Sequence, residues 1–161
     1  FNGSPAQYDW QLKGKQELYI PYNAYRIHAA DLGNEDIIQN RHINPAHGRY
    51  ELHRVWVVEG TLKPGMKHIY SRRVFYIDED SWQIAVMDSY DKDGKLSRTA
   101  EAHALNYYEV PVLWSTLEVY YDLQKQRYLV SGLDNSRNPY RFSESADPRE
   151  FSPNALNYYI R

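Results

Sequence analysis

A series of alternating runs joined by short, polar links constrains the fold of this chain more than any other feature of the sequence. Residues 50–59 are typical, because Leu52, Trp56 and Val58 lie on one face of the run, whereas His53, Val55 and Val57 lie on the other. Such alternation, with many β-branched and aromatic residues, predicts a β-strand. Links as short as residues 123–126 join antiparallel neighbours, since parallel strands need crossovers of a dozen residues or more. The sequence therefore predicts an antiparallel meander in the middle of the chain.

Further strands are predicted along most of the chain. They cover residues 68–77, 82–90, 96–104, 115–122 and 127–133, and one strand at 9–20 that is interrupted near Gly14. Helix signals are poor, and residues 34–40 are the best candidate for a short helix. The long polar segment 23–47 is the least regular part, so we interpret it as a lid or a covering loop over a sheet edge. The expected fold is mainly β, with few short helices.

Composition excludes several classes of protein. The chain has 161 residues, which suits one domain, and it has no cysteine, which excludes disulfides and thiolate metal sites. A net charge of −2 argues against a nucleic-acid partner. No run approaches 18 apolar residues, so no membrane-spanning helix is predicted. The chain begins with Phe1 and shows no export-signal pattern, which leads us to expect a processed protein or a fragment.

Four blocks of the sequence carry a family resemblance. They are residues 19–23 (YIPYN), 50–59 (YELHRVWVVE), 73–82 (RVFYIDEDSW) and 114–122 (WSTLEVYYD). Together they resemble the C-terminal part of domain-of-unknown-function family 1329, a family of bacterial envelope proteins, most clearly over residues 8–133. Members of that family are considerably longer and begin with an export signal. The resemblance implies that residues 1–161 form either a single domain or the C-terminal portion of a larger incomplete-barrel domain that lacks its N-terminal part.

The resemblance also carries expectations about fold, location and partners. It implies a fold like that of the periplasmic lipoprotein carriers, the LolA/LolB-like superfamily, in which a curved antiparallel sheet forms an incomplete barrel around an apolar cavity. It places the protein in the periplasm. Genes of the family tend to lie near those for large export pumps and an outer-membrane-protein-like partner, so an envelope transporter or an outer-membrane protein is the implied partner. The family has no established catalytic residue, and the resemblance implies no cofactor.

Six residues are candidates for ligand binding. Trp56, Phe75, Trp82 and Tyr121 fall on apolar faces of separate predicted strands, where they form either a pocket wall for a large apolar ligand or an ordinary sheet core. Arg54 and Arg73 are candidate contacts for an anionic headgroup. Arg54 can equally pair with a carboxylate of a neighbouring strand.

Catalytic and metal-binding signals are weak. His42, His47 and His53 match no standard zinc spacing, so no metal ligand is predicted. Glu51 and His53 share a strand face and can place a base beside an acid, but no nucleophile motif accompanies them, so we expect no enzyme. Residues 78–80 are most simply a solvated loop.

Two functional hypotheses follow. The first is a periplasmic carrier or adaptor that binds a lipid or another hydrophobic molecule in a curved-sheet cavity and serves an export system. The alternative is an interaction module that docks on a transporter or an outer-membrane partner and has no ligand cavity.

Overall fold

In the residues that the structure describes, the fold is one antiparallel sheet with two short α-helices. A computed structural model describes residues 3–135, 140, 142, 145, 147–155 and 157. Short 3-10 turns occupy Pro5–Gln7 and Pro148–Phe151, and the helices are α1 (Tyr25–His28) and α2 (Asn34–Ile37). The strands are β1 (Tyr8–Pro21), β2 (Tyr50–Leu62), β3 (Arg72–Asp78), β4 (Ile84–Tyr90), β5 (Leu96–Tyr107), β6 (Val112–Asp122) and β7 (Arg127–Ser131).

The strands pair in sequence order, β1 to β7, and every pairing is antiparallel. The predicted meander and the mainly β fold class are therefore confirmed. The sheet curls, because β1 approaches β4 and β5 across it and the backbone N–H of Ala24 donates to the carbonyl of Ala104 at 2.8 Å. In the part of the chain that the structure describes, β1 and β7 do not pair, so the sheet is not closed into a barrel.

Most element boundaries differ from those expected by a few residues; the largest strand difference is in β3, which begins at Arg72 and not at residue 68. Three of the differences have a clear local reason. Strand β4 begins at Ile84 because Trp82, at φ 58°, belongs to the preceding turn. Helix α2 ends at Ile37 because Ile38 pairs with Ile43 in an isolated bridge. Strand β1 continues through the expected interruption, since Gly14 adopts φ 112° and absorbs a register shift as a β-bulge.

Residues 23–47, which we call the strap, connect β1 to β2 and pack against β6 and β7, at the opposite edge of the sheet from β1. Ile27 and Ile37 of the strap are fully buried and belong to one apolar cluster with Leu117 and Val119 of β6. The hydroxyl of Tyr128 on β7 donates to a strap carbonyl, that of Gln39, at 2.6 Å. The strap therefore contributes its apolar side chains to the core.

The sheet has two distinct faces, because directly paired residues project to the same side and neighbours along a strand alternate. The strap face carries the core residues of the sheet: Leu18, Ile20, Val55, Val57, Tyr76, Val86, Leu117 and Val119. The opposite face, which we call the groove face, carries the candidate site.

Candidate functional site: a groove on an apolar belt

An apolar belt crosses the groove face from one edge of the sheet to the other. The register places one residue of each strand in a single row: Leu12, Val58, Phe75, Met87, Ala100, Tyr120 and Leu129. Phe75 and Ala100 are buried, but Leu12 and Leu129 remain 61% and 63% exposed. An uninterrupted apolar row on an exposed face is the kind of surface that proteins use to bind ligands or partners.

A basic row runs beside the belt on the same face. The register aligns Arg73 of β3 with Ser89, Arg98, Asp122 and Arg127 on the following strands. Arg98 and Arg127 approach the carboxylate of Asp122 at 3.5 and 3.6 Å. The backbone N–H of Lys125 and these two arginines hold the pKa of Asp122 below its ordinary value. Three arginines against one aspartate leave this row with a net positive charge.

A groove of about 540 Å³ lies over the middle of the belt. This volume is within the range of small-molecule sites. Its apolar lining comes from Ile84, Ala85 and Met87 of the β4 region and from Ala100 and Ala102 of β5. The small alanine side chains leave the open space, so the groove follows directly from residue size at these positions.

Polar side chains border the groove on both sides. Arg73 of β3 lines one side, and Glu118 and Tyr120 of β6 line the other. The hydroxyl of Tyr120 donates to Glu118 at 2.6 Å, and this hydrogen bond, with burial, raises the pKa of Tyr120 to about 12. The groove thus combines an apolar floor with a few polar anchors, which is typical of ligand sites.

Aromatic rings hold Arg73 in place beside the groove. Its guanidinium carbon lies 5.3 Å from the ring centre of Tyr8 and 5.1 Å from that of Tyr70, within cation–π range. Its Nη2 lies 3.2 Å from Nε2 of His68, whose pKa is lowered by burial and by the charge of Arg73. Although Arg73 is only 9% exposed, its charge is therefore presented at a fixed position.

The structure brings two of the six predicted ligand-binding residues to this site. Arg73 lines the groove, and Phe75 is a buried member of the belt that stacks on Trp10 with ring centres 5.3 Å apart.

The other four predicted residues lie elsewhere. Trp56 shares the groove face but lies beneath the ammonium group of Lys15, 4.4 Å from its ring centre. Arg54 forms an ion pair with Glu79, with Nε 2.6 Å from Oε1. Trp82 is 70% exposed in the β3–β4 turn. Tyr121 projects from the strap face and stacks on Tyr128 at 5.7 Å. Ligand binding by these four residues stays a prediction.

Sequence reasoning missed Met87, Ala100, Ala102 and Tyr120. The alternation signals that a strand exists, but only the strand register shows that these residues meet around one open space. Two adjacent tyrosines, Tyr120 and Tyr121, were the available signal, since neighbouring strand residues face opposite ways and Tyr121 is on the covered side.

A second, smaller pocket lies between the strap and the sheet. It measures about 380 Å³ and is lined by His42, Ile43, Pro45, Gly48, Tyr50, Glu101 and Tyr121. The hydroxyl of Tyr50 donates to Glu101 at 2.9 Å, and burial together with that carboxylate raises the pKa of Tyr50.

Glu51 and His53 do lie near each other, with Oε2 and Nε2 3.8 Å apart. Burial pushes the pKa of Glu51 upward, but hydrogen bonds from Asn23 and Arg49 outweigh this effect and hold the pKa below its ordinary value. The other ring nitrogen of His53, Nδ1, lies 2.9 Å from the buried carboxylate of Asp78. None of the helices in the described ranges has the length and apolarity needed to cross a membrane.

Comparison with known proteins gives one family match and one related sequence. The model of a family described as protein of unknown function (DUF1329) matches residues 1–157. An uncharacterized protein of Pseudomonas aeruginosa, PA3922, is 50% identical over 157 residues, which cover 97% of this chain and 34% of that protein. The chain thus spans about a third of the length of this curated relative.

Two solved structures are similar at low identity. One is described as a candidate outer membrane lipoprotein-sorting protein domain from Vibrio parahaemolyticus, with 14% identity and a TM-score of 0.47 over 93% of this chain and 48% of the other. The second is a DUF1329 family protein from Desulfovibrio piger, with 17% identity and a TM-score of 0.48 over 93% of this chain and 47% of the other.

Proposed function

Because this chain belongs to the DUF1329 family, we propose that it is a non-enzymatic carrier or adaptor of the bacterial envelope that binds a lipid-like molecule on its groove face. The observation that supports this proposal is the groove of about 540 Å³ centred on an apolar belt that crosses all seven strands. The proposed location is the periplasm, and the proposed role is in an export system.

The belt favours a molecule with an extended apolar part. Each CH₂ group removed from water contributes about 0.8 kcal/mol. Ten such groups along the belt would supply roughly 8 kcal/mol, the free energy of micromolar binding, before the cost of ordering the ligand is subtracted.

The basic row favours an anionic headgroup. Arginine binds carboxylate and phosphate oxygens through its planar set of N–H donors, and Arg73 is already fixed at the groove wall by aromatic rings. Arg98 lies in the same row, 3.5 Å from Asp122. A fatty acid or a phospholipid would place its chain on the belt and its headgroup beside these arginines.

The experiment compares a variant that fills the groove with one that does not. Ala102→Phe places a ring in the groove, and Ala30→Phe makes the same change at an exposed strap residue away from the belt and the groove. We expect Ala102→Phe to weaken binding of a fluorescent fatty-acid probe at least about tenfold, or about 1.4 kcal/mol, and Ala30→Phe to leave it within about twofold. Lipid extraction and mass spectrometry of the protein purified from an envelope fraction should identify a co-purified lipid. Absence of both co-purified lipid and probe binding, or equal effects of the two variants, would contradict the proposal.

A second function has its own supporting observation. Leu12 and Leu129 are the ends of the belt on the edge strands β1 and β7, beyond the groove, and each is more than 60% exposed. These exposed ends support an interaction module on which the surface of a transporter or outer-membrane partner lies across the whole sheet. Leu129→Glu should then abolish a reproducible cross-link to one partner in native membranes, while probe binding by the groove is retained.

A further inference from the structure

A histidine and two aspartates converge on the opposite side of the molecule from the groove, at one end of the sheet. His53 lies on β2, Asp78 ends β3, and Asp80 belongs to the following turn; their candidate ligand atoms all lie within 4.8 Å of one another. Nδ1 of His53 is 2.9 Å from Asp78 and 3.7 Å from Asp80. Because Val55 pairs with Asp78, His53 and Asp78 come together although they are 25 positions apart in the sequence.

The separations between these atoms are close to those of ligands that share one small ion. Nitrogen and oxygen ligands lie about 2.0–2.2 Å from zinc. Two ligands at that distance are about 3.0 Å apart when they subtend a right angle at the ion and about 3.4 Å apart in a tetrahedron. The two distances from Nδ1 of His53 bracket this range, the shorter one being a hydrogen bond to Asp78 in this structure, and the exposed side chain of Asp80 would move inward to complete the site.

The burial and charge of the cluster independently favour a cation. Asp78 is 1% exposed, and burying a carboxylate is costly unless its charge is compensated. Besides His53, the partners of Asp78 are the backbone N–H and hydroxyl of Ser81, which carry no charge. Among the residues that the structure describes, no lysine or arginine pairs with Asp78 or Asp80. The cluster therefore holds a buried negative charge without a permanent positive neighbour.

A third carboxylate and an aromatic ring complete the surroundings of His53. Oε2 of Glu51 lies 3.8 Å from Nε2 of His53, while its other carboxylate oxygen binds Arg49. The ring of Tyr22 packs on His53 with ring centres 4.2 Å apart. Three carboxylates thus surround one imidazole.

We propose that His53, Asp78 and Asp80 bind a divalent transition-metal ion, and that zinc is the ion they fit best. Imidazole nitrogen favours zinc and its neighbours over magnesium or calcium, and carboxylate oxygens are ordinary zinc ligands. Three ligands from the protein leave a further position for water or for Glu51. The ion would hold the β3–β4 turn against β2, close to Tyr22, the residue just before the strap.

The test is a calorimetric titration of the full chain, without a histidine tag and after dialysis against a chelator. We expect saturable binding of one zinc per chain that weakens as the pH falls, because protons compete for the ligands. At zinc concentrations about a hundredfold above Kd, the midpoint of thermal unfolding should rise by about 5–10 °C.

Matched variants identify the ligands. Asp80 has an exposed side chain, so Asp80→Asn should fold normally and bind zinc at least about tenfold more weakly. Asp93→Asn, a change of an exposed aspartate in the β4–β5 turn, should leave binding unchanged. X-ray absorption at the zinc edge should show imidazole and carboxylate ligands. Binding that does not saturate at one equivalent, equal loss in both variants, or magnesium binding as tight as that of zinc would overturn the proposal.

Discussion

Replacing Ile37 tests whether the strap is part of the core or a detachable cover. Ile37 is fully buried among strap and β6 residues, whereas the next residue, Ile38, is 42% exposed. The two adjacent isoleucines, Ile37 at the end of α2 and Ile38 just after it, carry the same side chain but differ sharply in burial. Ile37→Ala removes apolar contacts between the strap and the sheet, and Ile38→Ala is its matched control.

The expected loss follows from the burial of Ile37. The three carbons removed are worth roughly 2.4 kcal/mol at about 0.8 kcal/mol each. The cavity that remains adds to this cost, so we expect Ile37→Ala to lower the free energy of unfolding by about 3 kcal/mol, within the usual range for buried isoleucine. A domain of this size then loses about 6–12 °C in its melting midpoint. Ile38→Ala should change the free energy by less than about 0.5 kcal/mol.

Urea unfolding followed by tryptophan fluorescence measures both variants. Equal m-values in the two variants would show that the same surface is exposed on unfolding. A loss below about 1 kcal/mol for Ile37→Ala, or equal losses for the two variants, would refute the conclusion that the strap is packed into the core. Residues 23–47 would then fit the interpretation as a lid.

Two further predictions use other parts of the sheet. Gly60→Ala should destabilise the protein by about 1–3 kcal/mol in the same assay, because the new Cβ would lie 2.6 Å from the ring of Trp10. The control is Gly48→Ala, which should be neutral because its Cβ would meet its nearest atom at 3.5 Å. Equal effects of the two substitutions would contradict close packing between Gly60 and Trp10. Burial first and nearby carboxylates second raise the pKa of Tyr76 and Tyr121 to about 12, so the folded state favours their neutral forms. This stabilisation is complete below pH ~10 and is lost as the pH rises towards ~12. The absorbance of tyrosine phenolate, followed as the pH is raised, should therefore show a late phase near pH ~12. A titration of all tyrosines that finishes before pH ~11 would contradict the raised pKa values.

Local pattern was enough to predict the strands and the antiparallel meander in the middle of the chain, but not the pairing of β1 with β2 across the strap. Alternation marked every strand, and short links such as 123–126 required antiparallel neighbours, as the observed order confirms. The position of Gly14 also signalled the irregularity in β1, although the chain crosses it as a bulge. These features depend on residues close in sequence, which is why one sequence suffices to find them.

The groove and the acidic cluster depend on register, which the pattern does not specify. Ala100 and Ala102 carry almost no signal alone, yet between Met87 and Tyr120 they create open space. His53 and Asp78 come together only because β2 and β3 pair with Val55 opposite Asp78. Likewise, alternation places Tyr120 and Tyr121 on opposite faces of β6, but it does not say which of the two faces the strap covers.

The bulge at Gly14 also affects how separate molecules meet. Strand β1 is the longest in the sheet and lies at its edge, where unsatisfied N–H and C=O groups can template aggregation. The shift at Gly14 divides that edge into two shorter ladders. A strand from another copy therefore cannot add along the full length of β1, so this edge carries its own protection against fibril-like association.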